Sequence, residues 1–147
     1  MYNNILVPLD GSHRAERILP FVQELAQKFN SRITLLQVID LNLSLSLPYE
    51  TMAYSMAADA ERRVKEAEAY LRSLEGSVTC QGLGCRTVVE SGAIVDTILE
   101  VAQRVNADLI AMASHGRTGV SRVFYGSVAS GVLQKADRPL LLVRADE

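Results

Sequence analysis

Short apolar runs alternate with amphipathic segments along the chain, and this alternation restricts the fold more than any other feature of the sequence. The runs have the length and the aliphatic or β-branched composition of buried strands. The segments between them repeat apolar residues every three or four positions, as helices with one buried face do. The runs cover residues 5–9, 33–39, 85–90, 109–113 and 140–143. This order of elements predicts one parallel sheet with helices on both faces.

The first amphipathic segment predicts a helix that follows the first strand directly. Asp10 or Ser12 is suited to cap its N-terminus. Pro20 lies inside the helical pattern and removes one backbone donor, so we expect a kink there. Asn30 and Ser31 end the pattern.

A longer amphipathic segment predicts a second helix, with apolar positions from Ala57 to Leu74. Gly76 follows the last of these positions and is expected to terminate the helix. Glu61 and Lys65 are spaced to pair on its wet face. Residues 40–54, which precede it, show no sustained period and are predicted to form a mobile loop that covers a site or a partner surface.

The stretch from Asp108 to Ala136 combines a strand, a glycine-containing loop and a helix. Gly116, Gly119 and Gly126 occur in the loop, and Ser127 opens the helix. In an open parallel sheet such a junction lies at the carboxyl end of a strand, where ligands bind. Glycine lets a backbone approach a ligand closely, and the first N–H groups of a helix attract anions. Phosphate binding is therefore one interpretation, and a plain strand-to-helix connection is the other.

The same stretch resembles the universal stress protein family. Nucleotide-binding members carry Gly-x-x-Gly, nine residues, and then Gly-Ser or Gly-Thr. Here Gly116 is the second glycine, Gly126 and Ser127 close the motif, and Ala113 replaces the first glycine. Residues 5–12 and 92–94 also match, and the resemblance covers essentially the whole chain.

The resemblance implies a three-layer α/β sandwich with five parallel strands in the order 3-2-1-4-5, a Rossmann-like fold of the adenine nucleotide alpha hydrolase-like type. That order places the first and fourth strands side by side at a topological switch point. The whole chain, residues 1–147, is then expected to form one domain.

The resemblance also implies a site for ATP, with Mg²⁺ or Mn²⁺ held through the phosphates. Val38 would meet the adenine through its backbone, Asp10 would accept a hydrogen bond from the sugar or base, and Ala113 would lie near the ribose. Arg122 is a further candidate for phosphate contact. The predicted nucleotide-binding residues are Pro8, Leu9, Asp10, Val38, Met112, Ala113, His115, Gly116, Arg117, Gly126, Ser127 and Val128.

Three functional interpretations follow. The leading one is a cytoplasmic ATP-binding stress-response protein that acts as a sensor or switch. The others are a dimeric interaction module without nucleotide, and a slow ATP hydrolase or phosphotransferase. His115 has no assigned orienting partner and no nucleophile–base pair is evident, so binding is better supported than catalysis.

Composition limits the remaining classes of partner. Apolar residues make up 48% of the 147 residues and charged residues 22%, as in ordinary soluble domains. The net charge of −2 gives no sign of a nucleic-acid binder, and no apolar run is long enough to span a membrane. Cys80 and Cys85 are expected to be reduced thiols. Residues 140–143 would form an edge strand, and this predicts a homodimer.

Overall fold

A computed structural model of the protein describes residues 1–40, 49–79, 81–115 and 126–145. Strands and helices alternate along it, as the sequence predicts. The strands are β1 (Asn4–Leu9), β2 (Arg32–Ile39), β3 (Cys85–Ser91), β4 (Leu109–His115) and β5 (Leu140–Ala145). The helices are α1 (His13–Glu16), α2 (Leu19–Phe29), α3 (Tyr49–Thr79), α4 (Ile94–Arg104) and α5 (Ser127–Lys135).

The five strands form one parallel sheet in the order β3-β2-β1-β4-β5, which confirms the predicted topology. β1 is central: Ile5 pairs with Ile33 of β2 on one side and with Leu109 of β4 on the other. β2 and β3 therefore extend the sheet on one side of β1, and β4 and β5 extend it on the other. The carboxyl ends of β1 and β4 meet at the predicted switch point.

Two cores cover the two faces of the sheet. Alternate residues of β1 point to opposite faces, so Ile5 and Val7 pack in one core and Leu6 in the other. The first core includes Val22 of α2 and Leu71 of α3, and the second lies under α4 and α5. The side chains of Ile5, Leu6 and Val7 are fully buried, which explains why this run is apolar at every position.

The first predicted helix is divided in two, and the expected kink at Pro20 is wrong. α1 ends at Glu16, and α2 begins at Leu19 with Pro20 in its first positions, where a missing backbone donor costs no intrahelical bond. Ser12 provides the cap of α1, because its hydroxyl accepts a hydrogen bond from the backbone N–H of Ala15 at 3.2 Å. α2 ends at Phe29, where the pattern predicts its end, and its C-cap Asn30 has a left-handed φ of 54°.

The prediction that Gly76 terminates the long helix is also wrong, because α3 continues to Thr79. Val78 is 1% exposed, and its burial against the sheet favours continuing the helix past a residue of low helix propensity. The turn falls instead at Gly82, which has a φ of 77°. Glu61 and Lys65 form the expected pair, at 3.1 Å.

The predicted loop at residues 40–54 is wrong over its last part, because α3 begins at Tyr49. The rest of that prediction concerns residues 41–48, which lie outside the described residues. Strands β3, β4 and β5 extend one or two residues beyond the predicted ends, since the pairing of β4 with β5 continues to His115 and Ala145.

Helices α4 and α5 approach closely at Gly131. A Cβ atom added there would lie 2.7 Å from Cγ2 of Val95, closer than atoms pack without displacement. The small residue therefore allows the two helices to share one face of the sheet.

Within the described parts of the chain, no helix is long and apolar enough to cross a membrane.

Candidate functional site

A pocket of about 220 Å³ opens at the carboxyl ends of β1, β2 and β4, beside the first residues of α4 and α5. We call it the main pocket. It lies where the topology predicts a ligand site. Its lining residues are Pro8, Leu9, Asp10, Ala15, Leu36, Val38, Ile94, Ile98, Met112, Ala113, Gly126, Ser127, Val128 and Ala129.

Most of the wall is apolar, because it continues the core under α4 and α5. Leu36 and Met112 belong to that core, with Val38 packed against it. These side chains come from β2 and β4, on either side of the central strand. A pocket with apolar walls and few polar groups suits a flat ring system held by burial.

Asp10 supplies the carboxylate of the main pocket. It follows β1 directly, and its Oδ1 accepts hydrogen bonds from the backbone N–H of Ser12 at 2.9 Å and from the Ser12 hydroxyl at 2.6 Å. Ser12 in turn caps α1. Asp10 is thus not the helix cap itself. It fixes the turn that begins α1, and its side chain is exposed at the pocket.

The N-terminus of α5 supplies partial positive charge on another side of the pocket. Gly126 is its N-terminal cap and offers no side-chain cap. The first hydrogen bond within α5 runs from the backbone N–H of Ser130 to the carbonyl of Gly126, at 2.9 Å. The N–H groups of Ser127, Val128 and Ala129 precede that bond and have no intrahelical acceptor. An anionic group placed here is stabilised by them and by the helix dipole.

The structure brings most of the predicted binding residues together. The predicted residues at the main pocket are Pro8, Leu9, Asp10, Val38, Met112, Ala113, Gly126, Ser127 and Val128. His115 ends β4, and the predictions for Gly116, Arg117 and Arg122 lie outside the described residues.

Sequence reasoning missed several apolar members of the wall. Ile94 and Ile98 of α4 line the pocket, as do Leu36, Ala15 and Ala129. Their only sequence signal is the helical or strand period that buries them. That signal does not distinguish a residue of the core from one at the rim of a pocket.

A hydrogen bond joins helix α3 to the last residue of α1 near the site. The phenol of Tyr70 donates a hydrogen bond to Oε1 of Glu16 at 2.9 Å. Burial, and then the bond to this carboxylate, raise the pKa of Tyr70 above its ordinary value.

The described residues contain no group of three or more His, Cys, Asp or Glu side chains placed to hold a metal ion.

Comparison with known proteins identifies the family. The model of the universal stress protein family matches residues 1–144. A universal stress protein of Methanocaldococcus jannaschii is 28% identical over 98% of this chain and 83% of its own length. A putative universal stress protein of Staphylococcus aureus is 30% identical over 99% of this chain and 86% of its own length. The chain belongs to the universal stress protein family.

Solved structures share the fold. The hypothetical protein MJ0577 superposes with a TM-score of 0.84, at 25% identity, over 100% of this chain and 99% of its own. A universal stress protein in complex with cAMP has a TM-score of 0.62 at 20% identity, over 99% and 98% of the two chains. One from Archaeoglobus fulgidus in complex with dAMP has a TM-score of 0.61 at 20% identity, over 96% and 97%.

Proposed function

We propose that this universal stress protein binds ATP in the main pocket and acts in the cytoplasm as a nucleotide-dependent sensor or switch. One observation carries the proposal: a single pocket combines apolar walls, the carboxylate of Asp10 and the uncapped N-terminus of α5. These three features match the base, the sugar and the phosphates of a nucleotide. The two relatives of the same fold that were solved with cAMP and dAMP support an adenine nucleotide.

Each part of the nucleotide has a chemical partner. The adenine ring packs between Val38 and Met112, where burial of a flat apolar surface is favourable. The ribose lies near Asp10 and Ala113. The phosphates bind at Gly126 and the first N–H groups of α5. A bound Mg²⁺ or Mn²⁺ is held through the phosphates.

A binding role fits this pocket better than phosphoryl transfer does. Enzymes of that class need cationic side chains and carboxylates that hold Mg²⁺. Among the described residues that line the main pocket, Asp10 is the only carboxylate. A switch needs only that ATP changes the conformation or the assembly of the protein.

The open edge of β5 provides a surface for assembly, and we include a homodimer in the proposal. β5 ends the sheet beside β4. Its apolar residues are Leu140, Leu141, Leu142 and Val143. A second copy that pairs antiparallel with the same strand satisfies the unpaired backbone groups of both chains.

Binding is tested with Gly126→Val. Gly126 has a φ of −54°, which valine adopts, so the substitution adds bulk without backbone strain. It should block the close approach of a phosphate and lower ATP affinity about a hundredfold or more in calorimetric titration. ATP should also be recovered on denaturing the protein purified under mild conditions.

Gly76→Val is the matched control. It adds the same side chain to α3 at a position where a Cβ meets nothing within 4 Å. ATP affinity should be unchanged in this variant. Equal ATP affinities of folded Gly126→Val and the parent would refute the phosphate placement, and no ATP binding by the parent would refute the proposed function.

A further inference from the structure

A second cavity lies at the opposite end of the sheet from the main pocket, and we call it the amino-end cavity. It holds about 380 Å³ beside the first residues of β1, β2 and β3 and the turn that follows α4. Arg32 lines this cavity and Val38 lines the main pocket, near the two ends of β2. About 20 Å of extended strand separates them, so the two cavities are distinct sites.

Two arginines line the amino-end cavity from one face of the sheet. Thr34 of β2 is the direct partner of Arg86 on β3, and Arg32 comes two residues before Thr34. Side chains of a strand alternate between faces, so Arg32 and Arg86 lie on the same face, diagonally across two neighbouring strands. Strand spacing and rise put their Cα atoms about 8 Å apart. Their guanidinium groups are therefore placed to contact one anion together.

Arg86 is oriented by a buried partner. Its Nε donates a hydrogen bond to Oγ1 of Thr34 at 2.9 Å, and Thr34 is 1% exposed. A guanidinium has five N–H donors, so this bond leaves four of them for a ligand. Arg86 itself is exposed, and a ligand can reach it from solvent. An arginine that is already oriented loses less conformational entropy when it binds.

No carboxylate neutralises these two cations. Within the described residues, the side chain of Arg32 has neither a hydrogen bond nor an ion pair, and no Asp or Glu lines the amino-end cavity. Asp108 lies beside the cavity, but its carboxylate accepts hydrogen bonds from the backbone N–H groups of Asn3 and Asn4, at 2.8 and 3.2 Å. The cavity therefore carries excess positive charge, although the net charge of the whole chain is −2.

The end of α4 does not cancel this charge. The carboxyl end of a helix is electronegative, because its last carbonyls lack intrahelical donors. Here Arg138 donates to the Ala102 carbonyl at 2.9 Å, and Nδ2 of Asn4 donates to the Asn106 carbonyl at 3.2 Å. These bonds satisfy the carbonyls that face the cavity region and hold the turn after α4 against β1.

We infer that the amino-end cavity binds the phosphate group of a small phosphomonoester, with Arg32 and Arg86 as its cationic partners. A phosphomonoester carries a charge between −1.5 and −2 at pH 7, which matches two guanidinium groups better than a single carboxylate does. Val105 also lines the cavity and offers an apolar surface to the organic part of the ligand. This site is independent of the proposed ATP site.

The experiment titrates phenyl phosphate into the ¹⁵N-labelled protein at constant ionic strength and follows the backbone N–H signals. Signals of residues 32–33, 84–86 and 105–106 should shift together, with a Kd of about 1 mM or lower. Arg32→Gln removes one cation without breaking a hydrogen bond of the described structure, so it should stay folded and weaken binding about fivefold or more. Arg86→Lys keeps the charge but loses the planar fork, and it should also weaken binding.

Arg72→Gln is the matched control, because it removes the same charge from the exposed side of α3. The affinity for phenyl phosphate should be unchanged in this variant. Benzoate, which has the same ring but a single charge, should bind the parent at least about fivefold more weakly. Gly126→Val, which obstructs the main pocket, should leave the shifts at the amino-end cavity unchanged.

Each opposite result would overturn the inference. No shift at residues 84–86 up to about 20 mM phenyl phosphate would exclude the site. Equal losses in Arg32→Gln and Arg72→Gln would show a general attraction to positive charge, and equal affinities for benzoate and phenyl phosphate would exclude selection of a phosphate. Shifts that disappear in Gly126→Val would assign the binding to the main pocket. None of these results depends on whether the parent binds ATP, so this inference and the proposed function can fail separately.

Discussion

The hydroxyl of Tyr70 on α3 lies 2.9 Å from Oε1 of Glu16 on α1. This bond connects the long helix to the short helix that follows Asp10. It therefore fixes α3 relative to the turn that presents the carboxylate of Asp10. The bond is partly buried, so solvent screens it less than it screens a surface pair.

Tyr70→Phe should lower the free energy of unfolding by about 1 kcal/mol at pH 8, because it removes a partly buried hydrogen bond to a carboxylate. Tyr2→Phe is the control, since the ring of Tyr2 packs edge-on against Phe29 at 5.5 Å and keeps that contact. Urea denaturation measures both variants.

The same bond predicts a dependence on pH. Folding raises the pKa of Tyr70 above its ordinary value of 10.0. The contribution of the Tyr70 hydroxyl to the free energy of unfolding is therefore complete below about pH 10 and decreases as the pH rises further. The stability difference between the parent and Tyr70→Phe should therefore narrow above pH 10. A difference that stays constant from pH 8 to pH 11 would contradict this assignment.

Asp10→Asn should weaken ATP binding about tenfold or more while the protein stays folded, because asparagine keeps an oxygen for Ser12 but loses the charge. Asp59→Asn makes the same change of charge on the exposed side of α3 and should leave binding unchanged. Calorimetric titration measures both. Equal losses in the two variants would show a general charge effect and would remove Asp10 from the site.

Ala113→Gly should strengthen ATP binding by a factor of a few, since it removes a methyl group from the wall nearest the proposed ribose. Titration of the parent and the variant compares the two affinities. Binding by the variant alone would place the parent among proteins that do not bind nucleotide.

Leu142→Pro should weaken the proposed dimer and leave the subunit folded. The backbone N–H of Ile110 donates to the Pro139 carbonyl, so backbone groups of residue 141 face β4 and those of Leu142 face the open edge. Proline at position 142 therefore removes a donor only from the edge.

Leu141→Pro is the matched comparison, because it removes a donor from the ladder between β4 and β5. That variant should lose more stability than Leu142→Pro, which loses side-chain packing but no hydrogen bond of the ladder and should weaken the dimer in sedimentation. A parent that sediments as a monomer at high concentration would exclude the dimer.

Cys85 should react slowly with alkylating reagents. Burial, with a smaller contribution from Glu75, raises its pKa from 9.0 to about 11. The thiolate is the reactive form of cysteine. At pH 8 the thiolate fraction of Cys85 is about a hundredfold lower than that of an ordinary thiol, because its pKa is raised. In a Cys80→Ser background, the alkylation rate should rise about tenfold per pH unit up to pH 10. A rate that levels off near pH 9 would contradict the raised pKa.

The sheet could be predicted because its strands are buried on both faces. Ile5, Leu6 and Val7 are fully buried and apolar at successive positions, and this distinguishes a central parallel strand from an exposed one. The order of the strands followed from the resemblance and from the right-handed connections that such sheets use. Local breaks were harder to predict: helix α3 passes Gly76 because the burial of Val78 outweighs local propensity.

The polar groups of the candidate site could be predicted from their positions beside strand ends and a glycine loop. Part of its apolar wall could not, because Ile94 and Leu36 become neighbours only when α4 packs on the sheet.

Gly131 and Val95 occupy what is in effect one shared volume between α4 and α5. A methyl group gained at position 131 has to be lost at position 95, or one helix has to move away from the other. The two positions should therefore change together during evolution. In a relative that carries alanine at 131, we expect a side chain smaller than valine at 95.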